Sequence, residues 1–555
     1  MKNIKAIGRM VIIGIIIVVI VIAGVVGYYL TIPIGPKIKD TLVMGTTDSV
    51  ESCLDPARAY DYFGWEIIRS LGSGLIDYRP GATGAAEDII PDLATSWAVT
   101  SDGLEWTFNL RQGVQYDDGT VFNATHVKYT FDRAIELADP DGAFVGIGFS
   151  DIIQSVTIVD TYTVKFTLKI PFGAFLSLIA GQECVMVDPT YAPMHGTSWN
   201  YTTDTILYTA GNARASNPMG LGPYTLASWT RTAGKDAQMN LTANPKYWNA
   251  SAGIPKTKNI IINFYADSTG LALAVQAGQV DIAFRQLGTT DINSMKSNTN
   301  LKVWEGTGAF IQYLCLQEKY WPFNETNIRQ AIGAAINRST IVNTVFVGQA
   351  QELFSLIPIG MAGHTDAFAN LGDPNYTKTQ ELLAPYGFNE TNKLTFTLWY
   401  ETSGHYPQSL QQAQVLKSSL EASGVLTVNL DGLDWPGYRS ARQNEEMEAF
   451  IMGWYPDYID ADDYIYPFVH SSGGSWIHIN YADPQMDQLI EWARGNTTAA
   501  TRNSLYSQIQ NLMVTDSPII PVYQGAAFAV TSLKVKGIYL DITQNWRHWL
   551  VYAEE

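Results

Sequence analysis

Cysteine is scarce in this chain: Cys53, Cys184 and Cys315 are the whole supply among 555 residues. At most one bridge can form, so a disulfide scaffold is excluded and the fold must rest on its own core. Histidine is nearly as rare, at seven scattered positions without an HExxH or a Cys/His spacing suited to zinc. Positive charge is also short. Lys and Arg total 35 against 53 Asp and Glu, a formal net charge of -18 at pH 7. A nucleic-acid partner needs clustered cations to meet its phosphates, so that class falls away. No GxSxG elbow, GxxxxGKS/T phosphate loop or GxGxxG fingerprint occurs, which leaves hydrolase, nucleotidase and dehydrogenase readings without their usual anchors. Asp457, Asp460, Asp462 and Asp463 are spaced like calcium ligands, but the central Gly and distal Glu of an EF-hand are missing. Neither a metal nor a cofactor is expected, and binding gains over catalysis, with an anchored extracellular hydrolase as the remote alternative.

What the chain does have is bulk and apolar surface. With 46% apolar residues it can bury a large core and divide into several lobes. Residues 10–30 form an uncharged, Ile- and Val-rich run, about 30 Å long if helical, matching the hydrocarbon core of a bilayer. Lys2, Lys5 and Arg9 precede it, which favours a cytoplasmic N-terminus (1–9) and an external globular part. The run exceeds the apolar part of a cleavable signal peptide, so an anchor is the expected reading and a signal the alternative. A short stalk, 31–39, rich in Pro, Gly and Lys, follows. Asn-x-Ser/Thr sites from Asn123 to Asn496 agree with an exported, glycosylated surface.

The globular part reads as α/β. "GLEWTFNLRQGVQY" from Gly103 alternates as a half-buried strand, and "TIVDTYTVKFTL" from Thr157 reads as two strands around an Asp-Thr turn. Between them "NATHVKYTFDRAIELA" has helical spacing, with Asn123 or Thr125 placed to cap it. Strand, helix and strand follow one another from Asn259 to Phe284, and again from Lys393 to Leu430. Such units predict mixed sheets covered by helices, with ligands collecting beyond strand ends in a cleft between lobes.

Four segments together resemble the family 5 extracellular solute-binding proteins of ABC transporters, the oligopeptide and dipeptide receptors. They are "LDPARAYDYFGWEIIRSLGSGLIDY" from Leu54 with "PDLATSWAVTSDGLEWTFNLRQGVQYDDGTVFNATHVKYTFDR" from Pro91, "GLGPYTLASW" from Gly220 with "NPKYW" from Asn244, "NIRQAIGAAINRSTIVNTVFVGQA" from Asn327, and "GWYPDYID" from Gly453. The resemblance implies a periplasmic-binding-protein-like type II fold. Lobe one would take 40–62, 216–306 and 523–555, lobe two would be the insert 63–215, and lobe three would run over 307–522, with crossings near Ser216 and Gly306.

It also implies a site. In receptors of this kind an extended peptide is held by main-chain groups, and its α-ammonium meets an Asp in a motif like Gly-Trp-x-x-Asp-Tyr, here Asp457. A carboxylate among Trp454, Tyr455 and Tyr458 is costly unless a cation meets it, so the chemistry agrees. Asp457 capping its own loop after Pro456 is the plainer reading. Gly453 to Tyr455 on one side and Val50, Glu51 and Ser52 on the other would supply backbone groups for strand addition. Trp435 would line a pocket, and Arg442, seven residues on, would meet the peptide carboxylate; pairing of Arg442 with Glu446 on an exposed helix is the alternative. The family's further Arg, two residues before the Gly, is replaced by Ile451. Tyr523 would close the cleft near the last crossing, or serve as core. The resemblance implies an ABC permease and its ATPase subunits as partners and no enzymatic activity. With 15 Trp and 30 Tyr, an oligosaccharide stacked on rings is the alternative ligand.

Overall fold

The computed structural model describes residues 37–555 apart from 52, 191–193, 195–197, 206–218, 286 and 404. The apolar run 10–30, Ser52 and the expected crossing at Ser216 lie outside the described residues. Among those described, no helix is long and apolar enough to cross a membrane.

An eleven-stranded mixed sheet runs through the molecule. Across its width the strands are Leu426–Leu433, Leu394–Glu401, Ala449–Trp454, Leu301–Leu316, Ile519–Ser532, Ile282–Phe284, Thr41–Thr46, Asn259–Phe264, Lys235–Ala243 and Tyr224–Thr232, with Ala350–Glu352 alongside Ile519–Ser532. The two long central strands are antiparallel and join its halves. Leu301 to Thr307 pairs with Ala526 to Ser532 beside Ile282–Phe284, whereas Ile311 to Cys315 pairs with Ile519 to Gln524 beside Ala449–Trp454. The register shifts between Thr307 and Ile311. Glycine is required there by close approach: a Cβ on Gly306 would overlap the carbonyl oxygen of Leu540, and one on Gly308 that of Gly525.

Both strand–helix–strand units form. In the first, Asn259–Phe264 and Ile282–Phe284 flank Thr41–Thr46, all parallel. The connecting helix Ser268–Gln276 starts where the Asp267 side chain accepts from the Gly270 amide at 2.8 Å, and Gly278 leaves it at φ +69°. In the second, Leu394–Glu401 and Leu426–Leu433 lie side by side in parallel register, bridged by the helix Ser409–Glu421. Right-handed crossover of such units places the helix against the sheet and leaves the strand ends free for loops.

A separate four-stranded antiparallel sheet, in the order Ala94–Val99, Glu105–Leu110, Thr163–Leu168, Ile153–Asp160, carries the middle of the chain. The strand expected over 103–116 stops at Leu110, and Gly113 at φ +75° turns the chain away. The helix Ala124–Leu137, capped by Asn123 on the Thr125 amide, covers this sheet. Its Phe131 meets Phe166 edge-on at 4.9 Å, a geometry aromatic quadrupoles favour. No bridge forms among the cysteines: Cys184 and Cys315 are buried free thiols and Cys53 is half-buried.

Candidate functional site

The strand Ala449–Trp454 ends where the two halves of the sheet meet, and the loop after it carries the motif. Glycine at 453 is a packing requirement, since a Cβ would come within 2.6 Å of the Phe310 ring and 3.0 Å of Tyr406. Trp454 turns away from the loop. Its indole N–H donates to Asp463 at 3.0 Å, and its ring packs on Phe468 and Trp476. Tyr455 points the other way and is 50% exposed. Its ring lies against Phe310 at 4.7 Å and against Tyr62, from the distant helix Tyr62–Leu71, at 5.4 Å.

Asp457 is half-buried. Its Oδ2 accepts from the Tyr60 hydroxyl at 3.0 Å, and its amide donates to Asp463 Oδ2 at 3.1 Å. The Tyr62 hydroxyl donates to the Pro456 carbonyl. Burial pushes the Asp457 carboxyl up to about 7, against the opposing pull of the Tyr60 hydrogen bond. Asp463 is raised well above the carboxylate range, by burial first and by the Asp457 charge second. No Lys or Arg side chain bonds to either carboxylate among the described residues. The neighbouring acids differ: Asp460 is forked by Arg502 at 2.8 and 2.5 Å, and Asp462 is paired with Arg494 at 3.2 Å. Those pairs hold the loop. No group of residues that could hold a metal ion occurs among the described residues.

A small cavity of about 20 Å³ opens beside Asp457, lined from the other side by Ser177, Gly181 and Glu183 and by Tyr62 and Trp65. It has room for one water-sized group. Glu183 is 1% exposed, and burial lifts its carboxyl to about 8.

The other expected residues are spread around this centre. Val50 is buried, with its amide donating to Asp236 at 2.9 Å and its carbonyl accepting from Arg231 at 3.3 Å, so both main-chain groups are engaged by the hairpin of Tyr224–Thr232 and Lys235–Ala243. Glu51 is exposed, and Ser52 lies outside the described residues. The carbonyl of Gly453 accepts from Tyr406 at 3.3 Å, and that of Ile451 from Tyr438 at 2.7 Å. Strand addition at Gly453 would therefore have to displace the Tyr406 hydroxyl. Trp435 begins the helix Trp435–Gln443 and stacks on His405 at 3.7 Å and 12°. Arg442 is 8% exposed, donates to the Trp476 carbonyl at 2.8 Å and lies 4.9 Å over the Trp476 ring. It has no carboxylate partner among the described residues; Glu446 is met by Asn444 instead. Burial lowers the Arg442 pKa. Tyr523 is a core residue at the crossing, donating to Gln312 at 2.5 Å and packed on Phe346 at 4.4 Å.

Sequence reasoning missed Tyr60, Tyr62, Glu183 and Arg285, and weighed Asp463 only as a calcium ligand. Tyr60 and Tyr62 sit inside the first resemblance segment and could have been found there; Glu183 has no local signal. Arg285 follows the strand Ile282–Phe284 at φ +67°, meets Glu66 at 3.1 Å and Asp48 at 3.6 Å, and lies 5.5 Å over the Tyr62 ring. It fixes Tyr62 from behind. Burial raises Glu66 to about 8, although Arg285 opposes the shift.

The probable D,D-dipeptide-binding periplasmic protein DdpA of Escherichia coli K12 is 27% identical over 91% of this chain and 92% of its own. Heme-binding protein A of Haemophilus influenzae is 26% identical over 83% of each chain. Among solved structures, the periplasmic binding protein DppA of Helicobacter pylori, in complex with peptide STSA, superposes with a TM-score of 0.73 at 24% identity, covering 94% of this chain and 99% of that one. The family described as bacterial extracellular solute-binding proteins, family 5 Middle, matches residues 88–476, and the chain belongs to this family of transport binding proteins, which are not enzymes.

Proposed function

We propose that this chain is the receptor of an ABC importer and captures short peptides with a free amino terminus, handing them to the permease and its ATPase subunits. The observation that carries this reading is the Asp457 carboxylate. It lies at the seam between the two halves of the sheet, bonded across that seam to a neutral phenol and, among the described residues, to no cation. An incoming ammonium replaces lost hydration with a charge-assisted hydrogen bond in a site where few waters compete. The relatives named for dipeptides agree, and the one named for heme shows that the fold accepts other cargo.

The lobes expected from the resemblance, 40–62 with 216–306 and 523–555 on one side and 307–522 on the other, would close about the two central strands near Gly306 to Gly308. Residues 63–215 would form the inserted lobe. Residues 10–30 would anchor the receptor in the membrane with its globular part outside, supported by their length and apolar composition.

Calorimetric titration with tri-alanine and with N-acetyl-tri-alanine tests the reading. Binding of the free amine with loss of binding on acetylation is expected. Equal binding of both, or binding of an oligosaccharide and neither peptide, would overturn it.

A further inference from the structure

Glu183 is a buried acid that no cation meets among the described residues. Its side chain is 1% exposed, and among those residues its Oε2 has no hydrogen-bond partner. The carboxylate is met by its own amide and, at Oε1, by the Cys184 thiol at 3.9 Å. Buried carboxylates of this kind are held by cations or by several N–H donors, because isolation from water is costly for the charged form. The other buried acids of this region obey the rule: Asp460 and Asp462 have Arg502 and Arg494, and Asp463 has the Trp454 indole and the Asp457 amide.

The chain also makes room for this carboxylate. A Cβ on Gly181 would press on the Glu183 carboxyl oxygens, so glycine lets the acid lie flat against the backbone after the helix Phe175–Ile179. From there it borders the same small cavity as Asp457. Tyr62 and Trp65 also line that cavity, and ring faces suit both methylene groups and cations. The cavity's size admits the head of one amine.

We propose that Glu183 receives a second cationic nitrogen, so that the receptor prefers peptides whose first residue carries a primary amine, as lysine and ornithine do. The α-ammonium is held by Asp457, and the side-chain ammonium passes Tyr62 and Trp65 to reach Glu183. This rests on the peptide reading above and adds to it a specificity at the first residue. It also gives an ammonium to each of the two carboxylates that border this cavity, neither of which meets a Lys or Arg among the described residues, where a single ammonium would leave one of them uncompensated.

The test compares Lys-Ala-Ala with norleucine-Ala-Ala by calorimetry, in the wild-type protein, in Glu183→Gln and in Gly181→Ala. Norleucine keeps the stem and ends in a methyl group. Wild type should bind the lysine peptide at least about tenfold more tightly, the value of one modest charged hydrogen bond. Glu183→Gln should erase that ratio while leaving the norleucine peptide within about threefold, and Gly181→Ala, which displaces the acid without removing it, should reduce it. Thermal melting of both variants verifies that they fold. A wild-type ratio near one, or a ratio that survives Glu183→Gln, would overturn the inference and leave the peptide reading standing. Absence of binding for both peptides in wild type would overturn both.

Discussion

Tyr60 and Asp457 are 397 positions apart in the chain, yet the phenol of one donates to the carboxylate of the other at 3.0 Å. A neutral donor occupies the place expected for a ligand cation. That hydrogen bond favours the ionised form of Asp457, whose carboxyl burial has lifted to about 7. Tyr60→Phe should therefore raise the Asp457 pKa further. The pH at which tri-alanine affinity reaches half its plateau should move upward, read by calorimetry between pH 5.5 and 8.5. An unmoved midpoint would mean that Tyr60 gives up its contact before the ligand arrives.

Asp457→Asn should separate binding from folding. Loss of the charge leaves a buried ammonium unpaired in the complex, which costs about 2–5 kcal/mol in truncations of this kind. The empty protein should not suffer, since its own Asp457 meets no cation, and its melting temperature should hold or rise. A fall in stability equal to the loss in affinity would point to Asp457 as a loop cap.

The raised acids also fix how stability of the empty protein varies with pH. Asp457 and Glu183 ionise near 7 and 8 when folded, against ordinary values of 3.8 and 4.5, so across pH 6.5 to 8.5 the native state holds protons that the unfolded state has lost. Stability must then fall as pH rises through that window. His548 works in the opposite sense but lower down: burial holds it at about 3 against its ordinary value of 6.5, so its destabilising effect is felt as pH falls below 6.5. Thermal melts should show a decline from pH 6.5 to 8.5 in the empty protein. The rise in melting temperature produced by tri-alanine should grow over the same range, because the ligand binds the ionised form.

Much of the fold was legible because its signals are local. Asp267 and Asn123 cap their helices through neighbouring amides, and alternation in "NIIINF" and "LTFTLW" marks strands that bury one or both faces. The motif loop was legible by resemblance, and Asp457 does stand at the seam. What escaped depends on long-range placement. Nothing near Glu183 signals that it will border a cavity with residue 457, and the main-chain groups of Val50 are spoken for by Asp236 and Arg231 across a hairpin that local pattern does not reveal. Arg442 could be read as a cation for the peptide carboxylate or as one of an exposed pair with Glu446, and its packing onto the Trp476 ring is a long-range contact that neither reading contained.

The register shift between Thr307 and Ile311 makes a further prediction about the join between the two half-sheets. Gly308→Ala would drive a methyl group into the carbonyl of Gly525 on the partner strand, and backbone cannot yield as a side chain can. The cost should reach at least the about 1–3 kcal/mol typical of overpacking, seen as a lower denaturation midpoint. If the glycines also serve as the pivot of closure, the ligand-induced change in Trp fluorescence should slow or shrink in the same variant. A stability loss with unaltered closure would confine their role to packing.

Arg442 gives the last prediction. Among the described residues it is a buried cation with no acid beside it, and its Nε finds no hydrogen-bond partner. Burial has already lowered its pKa, the sign of a charge that is poorly compensated. Replacement of an uncompensated buried charge by a side chain of similar volume is commonly neutral or favourable, so Arg442→Met should leave the empty protein as stable as before or more so. A ligand carboxylate would supply the missing anion. Wild type should then bind tri-alanine more tightly than tri-alanine amide, and Arg442→Met should bind the two alike. If the preference persists in the variant, the carboxylate end is read elsewhere, and the role of Arg442 is limited to its hydrogen bond and ring contact with Trp476.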